Sequence, residues 1–214
     1  MTTSTDLRLQ TSDGLSLEAL LESPDAPGGA FVFCHPHPQM GGTMNAPLLN
    51  AISAGLVERG WAVLRFNFRG IGGSEGASSI GIDEIADAKA AIAEARSHRP
   101  DLPVAIGGWS FGAAVAGRVA AKEEGLAAYV AIAPAVSEKP GITAGLPAPD
   151  EVRLAMPALV IVGANDELVD PSEARAWAEA VGARYIEMKG ANHFFWAKYD
   201  ALTQEVCDFL DQVL

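Results

Sequence analysis

Short runs apolar at every position are the feature that most constrains this chain. Ala30-Phe31-Val32-Phe33-Cys34, Tyr129–Ala133 and Pro157–Val162 are of this kind, and Trp61–Phe66 is broken only by Arg65. A strand with one wet face alternates polar and apolar residues, whereas a wholly apolar run needs cover on both faces. The cover is legible between the runs. Ala46–Arg59 carries Leu48, Leu49, Ile52 and Leu56 on one stripe, with Gly60 as its stop. Asp83–His98 has Asp83, Glu84 and Asp87 near its positive end and Arg96 and His98 near its negative end. Phe111–Lys122 is a helix of small residues, Pro171 opens another through Val181, and Phe195–Val213 is expected to be the closing helix.

Pro103–Ile106 and Arg184–Met188 supply further strands. At the start, Leu7–Gln10 and Leu15–Leu20 flank Ser12-Asp13-Gly14, a hairpin signal. The pattern predicts an α/β fold: a mostly parallel eight-stranded sheet with an antiparallel first hairpin and helices on both faces. Neither a repeat nor a linker divides the 214 residues, so 1–214 is expected to form one domain. Ligands of such sheets sit at the carboxyl ends of the strands.

Composition narrows the partners. A formal net charge of −12 argues against nucleic acid and anionic membrane surfaces. No segment has the length and apolarity of a membrane span. Met1–Asp6 lacks a basic stretch leading into an apolar one, so no secretion signal is expected. Cys34 and Cys207, in a buried-looking strand and a C-terminal helix, read as two separate thiols, which suits a cytoplasmic protein, monomeric or homodimeric.

Gly108-Trp109-Ser110-Phe111-Gly112 fits G-x-S-x-G. The pentapeptide alone is weak and would also suit a strand–helix turn with a capping serine. Its setting matters more. Val104-Ala105-Ile106 is a strand just before it and Ala113-Ala114-Val115-Ala116 a helix just after it. So sharp a turn forces Ser110 into strained geometry with its hydroxyl exposed, and the two glycines avoid collisions across the bend.

A serine nucleophile needs a general base and a group that orients the base. Gly163-Ala164-Asn165-Asp166 follows one strand and Gly190-Ala191-Asn192-His193 follows the last. Asp166 and His193 thus fall at carboxyl ends in the chain order Ser, Asp, His. Glu167 and Asp170 are alternatives to Asp166, although Val169-Asp170-Pro171 reads better as a helix cap.

An oxyanion needs N–H donors. One is expected from Phe111, the residue after the serine. The other would come from His35-Pro36-His37-Pro38-Gln39, where the prolines carry no N–H. That leaves the His37 amide first and Gln39 next. No acidic or thiol cluster completes a site around the side chains of His35 and His37, so no metal is expected. His35 is read as bonding nearby loop backbone. Trp109 and Phe194 are candidates for substrate binding within an apolar wall that Phe111, Phe195 and Trp196 could extend, or these rings are core.

These motifs together resemble the α/β-hydrolase superfamily. Within it the chain is similar to small, lidless bacterial hydrolases related to the dienelactone hydrolases. The likeness runs from Cys34-His35-Pro36-His37-Pro38 and Gly41-Gly42-Thr43-Met44 through Leu64–Gly70 and Gly73–Gly76. It continues over Gly108–Gly112 and Gly163–Asp166 to His193-Phe194-Phe195. It implies Ser110, Asp166 and His193 as a triad, the His37 and Phe111 amides as oxyanion donors, and no cofactor. Dienelactone hydrolases use cysteine where this chain has Ser110, which argues against a dienelactone substrate. The expected activity is hydrolysis of a small carboxylic ester or thioester. A peptidase or amidase with the same triad, and a non-catalytic ligand-binding protein, are the alternatives. The interval Pro134–Pro157 is too short and too broken by glycine and proline for a cap domain, and its length makes it a candidate for a mobile flap.

Overall fold

The computed structural model describes residues 1–213. β1 (Thr2–Gln10) and β2 (Ser16–Pro24) form the antiparallel hairpin, with Thr2 opposite Pro24 and Gln10 opposite Ser16. β1 begins earlier than the apolar alternation indicates, because the β-branched threonines of Thr2–Thr5 suit an exposed edge strand. β3 (Gly29–Cys34), β4 (Trp61–Phe66), β5 (Val104–Trp109), β6 (Leu126–Ile132), β7 (Ala158–Gly163) and β8 (Arg184–Met188) follow. They build an eight-stranded sheet of order β1-β2-β4-β3-β5-β6-β7-β8. β2 runs antiparallel to β4, and every later pairing is parallel.

β3, β4, β5 and β7 are buried at every position, as runs apolar throughout, or in β4 apolar but for Arg65, require. Side-chain alternation sends Phe31, Phe33, Val130 and Ile161 to one face, under α1 (Pro47–Glu58) and α5 (Tyr199–Leu210). Val32, Cys34, Ile106 and Val160 go to the other face. There α2 (Glu84–His98), α3 (Phe111–Ala120) and α4 (Pro171–Val181) cover them. This is the α/β-hydrolase fold, and among the described residues no cap domain lies over the carboxyl edge of the sheet.

Two features differ from expectation. The closing helix begins at Tyr199, not Phe195. Phe195 and Ala197 sit at φ 53° and 57°, left-handed values that no α-helix continues. Phe195 is fully buried against the α1–α5 side, and Asn192 Oδ1 accepts from the Phe194 and Trp196 amides at 3.2 and 3.4 Å. Hence the segment after His193 is a compact turn.

The second is a buried ion pair beyond β4. Arg69 Nη2 donates to Asp87 Oδ1 at 2.7 Å, its backbone N–H donates to Oδ2 at 2.9 Å, and Nη1 reaches Asp13 at 2.9 Å. Asp87 therefore does more than complement a helix dipole: it ties α2 to the end of β4 and, through Arg69, to the hairpin turn. The Asp87 side chain is wholly buried, while that of Asp13 is 48% exposed. Removing one partner of a buried pair strands the other charge. Asp87→Ala is thus expected to lower unfolding free energy by about 3–5 kcal/mol, and Asp13→Ala, which removes a solvent-exposed carboxylate, to have a far smaller effect. The midpoints of urea denaturation measure both.

Candidate active site

The chain leaves β5 at Trp109 and enters α3 at Phe111, so Ser110 makes the whole turn. Its φ is 56° and ψ −114°, a strained conformation for a residue with a side chain. Hydrogen bonds hold it there. Its N–H donates to Ile132 O at 2.8 Å, and its carbonyl accepts from the amides of Ala114 at 3.1 Å and Ala135 at 3.2 Å. A Cβ on Gly112 would lie 2.3 Å from His35 O and 2.4 Å from Cys34 O. One on Gly108 would lie 2.3 Å from Gly112 C. Only glycine lets the start of α3 rest on the end of β3.

Asp166 follows β7, with its side chain wholly buried. Its Oδ1 accepts from the amides of Leu168 at 2.9 Å and Val169 at 2.8 Å, and its Oδ2 lies 2.9 Å from His193 Nδ1. An ionised carboxylate only accepts, so Nδ1 carries a proton and neutral His193 keeps its lone pair at Nε2. The loops carrying the two residues press together: a Cβ on Gly163 would meet Ala191 O at 2.5 Å, and Asn165 N donates to Ala191 O at 2.8 Å. The Trp109 indole N–H donates to His193 O at 3.2 Å, which ties the histidine loop to the neighbour of Ser110.

The structure brings Asp166 and His193 into contact. Ser110 and His193 line one cavity of about 410 Å³, and no hydrogen bond joins their side chains. Of the alternatives to Asp166, Glu167 accepts from the His193 amide at 3.4 Å, and Asp170 caps α4 through the Ser172 amide at 2.8 Å. Trp109 and Phe194 both line the cavity. Trp196, 65% exposed, stacks on Phe194 at 5.1 Å, whereas Phe195 belongs to the core.

Across the cavity lies the loop after β3. Among the described residues, neither the His37 nor the Phe111 N–H donates to a protein group. Phe111 is the first residue of α3, where an amide has no acceptor one turn back. Gln39, the second donor candidate, is occupied: its N–H donates to His37 Nδ1 at 3.2 Å. His37 Nε2–H then donates to Ile142 O at 2.9 Å, and the ring packs on Phe111 at 5.0 Å.

Residues without sequence signals complete the support. Asn67 Oδ1 accepts from the Met44 amide at 2.9 Å and Arg65 donates to Met44 O at 2.7 Å, fixing the far end of this loop. The interval Pro134–Pro157, a candidate for a mobile flap, is docked. Ala144 N donates to Ile80 O at 2.7 Å, Leu146 N to Ala135 O at 3.0 Å, and Trp177 Nε1 to Pro147 O at 2.9 Å. Glycines and prolines bend it, and these backbone bonds seat it as a wall.

Comparison with known proteins agrees with this fold. Residues 26–150 match the family model described as serine aminopeptidase, S33. The uncharacterized protein RP471 of Rickettsia prowazekii (strain Madrid E) is 30% identical over 196 residues, 88% of this chain and 80% of that protein. A solved α/β serine hydrolase homologue from Coxiella burnetii superposes with a TM-score of 0.84 at 29% identity, over 95% of this chain and 96% of that one. A serine hydrolase without a lid from Xanthomonas campestris gives 0.84 at 28% identity, over 99% and 95%.

His35, at the root of the loop, donates from Nδ1 to Pro36 O at 2.7 Å and accepts the Phe68 N–H at Nε2 at 3.0 Å. Burial pushes its pKa down from 6.5 to about 4. The unfolded chain therefore binds more protons between those values, so stability is full above about pH 6.5 and falls as pH drops toward 4. The loss expected is about 3 kcal/mol. Chemical denaturation across this range checks it: His35→Gln should be less stable at pH 7 but show a flatter profile.

Proposed function

The chain belongs to the serine aminopeptidase S33 family of α/β hydrolases, and from that premise we propose that it cleaves small carboxylic esters or thioesters through an acyl-enzyme on Ser110. The observation that carries this reading is the strained Ser110 turn, set in one cavity wall with a His193 whose Nδ1 is 2.9 Å from buried Asp166.

In this reading Ser110 Oγ attacks the carbonyl carbon as His193 Nε2 takes its proton. Asp166 holds the imidazole with Nδ1 protonated and stabilises its charged form. The His37 and Phe111 amides donate to the oxygen on which negative charge develops. His193 then returns the proton to the leaving oxygen or sulfur. Water repeats the sequence on the acyl-enzyme and frees the acid. Trp109 and Phe194 wall the side on which His193 stands. The absence of a cap suits small substrates that enter directly from water.

The family description favours a second reading, a peptidase or amidase with the same residues. Amides place a heavier demand on leaving-group protonation, and rates on matched ester and amide pairs separate the two. An ester rate well above the amide rate supports the first.

A fluorophosphonate is expected to label Ser110, located by mass spectrometry, and Ser110→Ala to lose both label and ester turnover. Retention of full activity by Ser110→Ala would sink the assignment. Asp166→Asn should preserve the fold yet lower kcat about 10⁴-fold, because the amide no longer fixes the productive tautomer; circular dichroism and steady-state rates check both halves.

A further inference from the structure

Ser110 borders two cavities, not one. The first, of about 410 Å³, is the one lined by His193, Trp109 and Phe194, and it runs out past Asn45 and Pro47. The second, of about 160 Å³, lacks His193 and is lined by apolar Phe111, Val136, Ile142 and Val169 and by charged Lys139, Asp170 and Glu173. Ser110, His37, Met40 and Leu168 border both.

Resting on the acyl-enzyme reading above, we infer that these cavities divide the substrate: the smaller takes the acyl group, the larger takes the leaving group, and Ile142 limits acyl length. The tetrahedral carbon formed on Ser110 has four substituents. One is Oγ and one is the oxyanion, directed at the His37 and Phe111 amides. The bond that breaks must place its oxygen or sulfur where His193 can protonate it, on the side of the larger cavity. The acyl substituent has only the remaining direction, into the smaller cavity.

Size then sets the substrate class. A volume near 150 Å³ has room for about one benzene ring. The acyl arm therefore suits a short aliphatic or single-ring acyl group, and the leaving-group arm a bulkier alcohol or thiol. The acyl wall is fixed. Ile142 sits on a tight turn where Lys139 and Thr143 bridge, Lys139 N donating to Thr143 O at 2.8 Å. The Ile142 carbonyl is held by His37 at 2.9 Å and the neighbouring Ala144 amide by Ile80 at 2.7 Å. A wall held by backbone cannot retreat to admit longer chains. The Ile142 side chain is 44% exposed, so shortening it enlarges the arm without opening a core cavity.

The test is kcat/KM on p-nitrophenyl esters from acetyl to decanoyl, with wild type, Ile142→Ala and Phe194→Ala. Wild type should fall steeply beyond about six carbons. Ile142→Ala should raise the octanoyl-to-butyryl ratio about tenfold or more, the scale of a methylene or two in an apolar pocket. Phe194→Ala should leave that ratio within about twofold but change the ratio of naphthyl to ethyl butyrate. The assignment is overturned if wild type accepts decanoyl as well as butyryl, or if Ile142→Ala moves the alcohol ratio instead. Absence of ester turnover together with absence of Ser110 labelling by a small fluorophosphonate is a distinct result, which overturns the acyl-enzyme reading and this inference with it.

Discussion

The carboxyl edge of the sheet depends on how closely α3 approaches the end of β3. There is no room for a methyl group between Gly112 and the carbonyls of Cys34 and His35. Because of that contact, the first turn of the helix and the loop after β3 share one space. Phe111 and His37 then line the same cavity although they come from distant parts of the chain. The helix start also brings positive partial charge to that spot. The strain at Ser110 is a consequence of the same geometry: the chain must reverse within one residue to place the helix there. Hydrogen bonds to β6 and to Ala135 on either side of the serine offset that strain.

Three consecutive residues after β4 extend the constraint outward. Asn67 binds the Met44 amide, the Phe68 N–H binds His35, and Arg69 binds Asp87. None lines the cavity beside Ser110. They fix the root and far end of the His37 loop and the start of α2, so their burial as polar groups serves position. An unpaired polar group at these depths would be costly, which makes the network all-or-none. It sets the loop without contact to any substrate.

The sheet was legible because burial on both faces leaves an unmistakable apolar run. The placement of Ser110, Asp166 and His193 at the carboxyl ends of β5, β7 and β8 was legible because strand ends are marked by glycine. What escaped was either non-local or conformational. The His37–Ile142 bond spans 105 positions and involves a backbone carbonyl, which carries no residue-type signal. The pairing of Arg69 with Asp87 looked like ordinary helix-end charge. The late start of α5 was hidden because Phe195 and Ala197 are non-glycine residues in left-handed conformations that composition does not flag. Gln39 looked available as a donor until the His37 ring was seen to take its amide.

A site without a cap has to be complete before substrate arrives, since no closing movement can assemble it. Fixed donors are worth most when nothing reorganises at the moment of reaction. Here the His37 imidazole meets that demand in two directions. Its Nδ1 fixes Gln39 within its own loop, and its Nε2–H fixes the turn at Ile142. One ring therefore holds both its own loop and the wall of the smaller cavity. Both bonds require the same tautomer, with the proton on Nε2. In the acyl-enzyme reading, a change that displaced this ring would disturb donor and wall together.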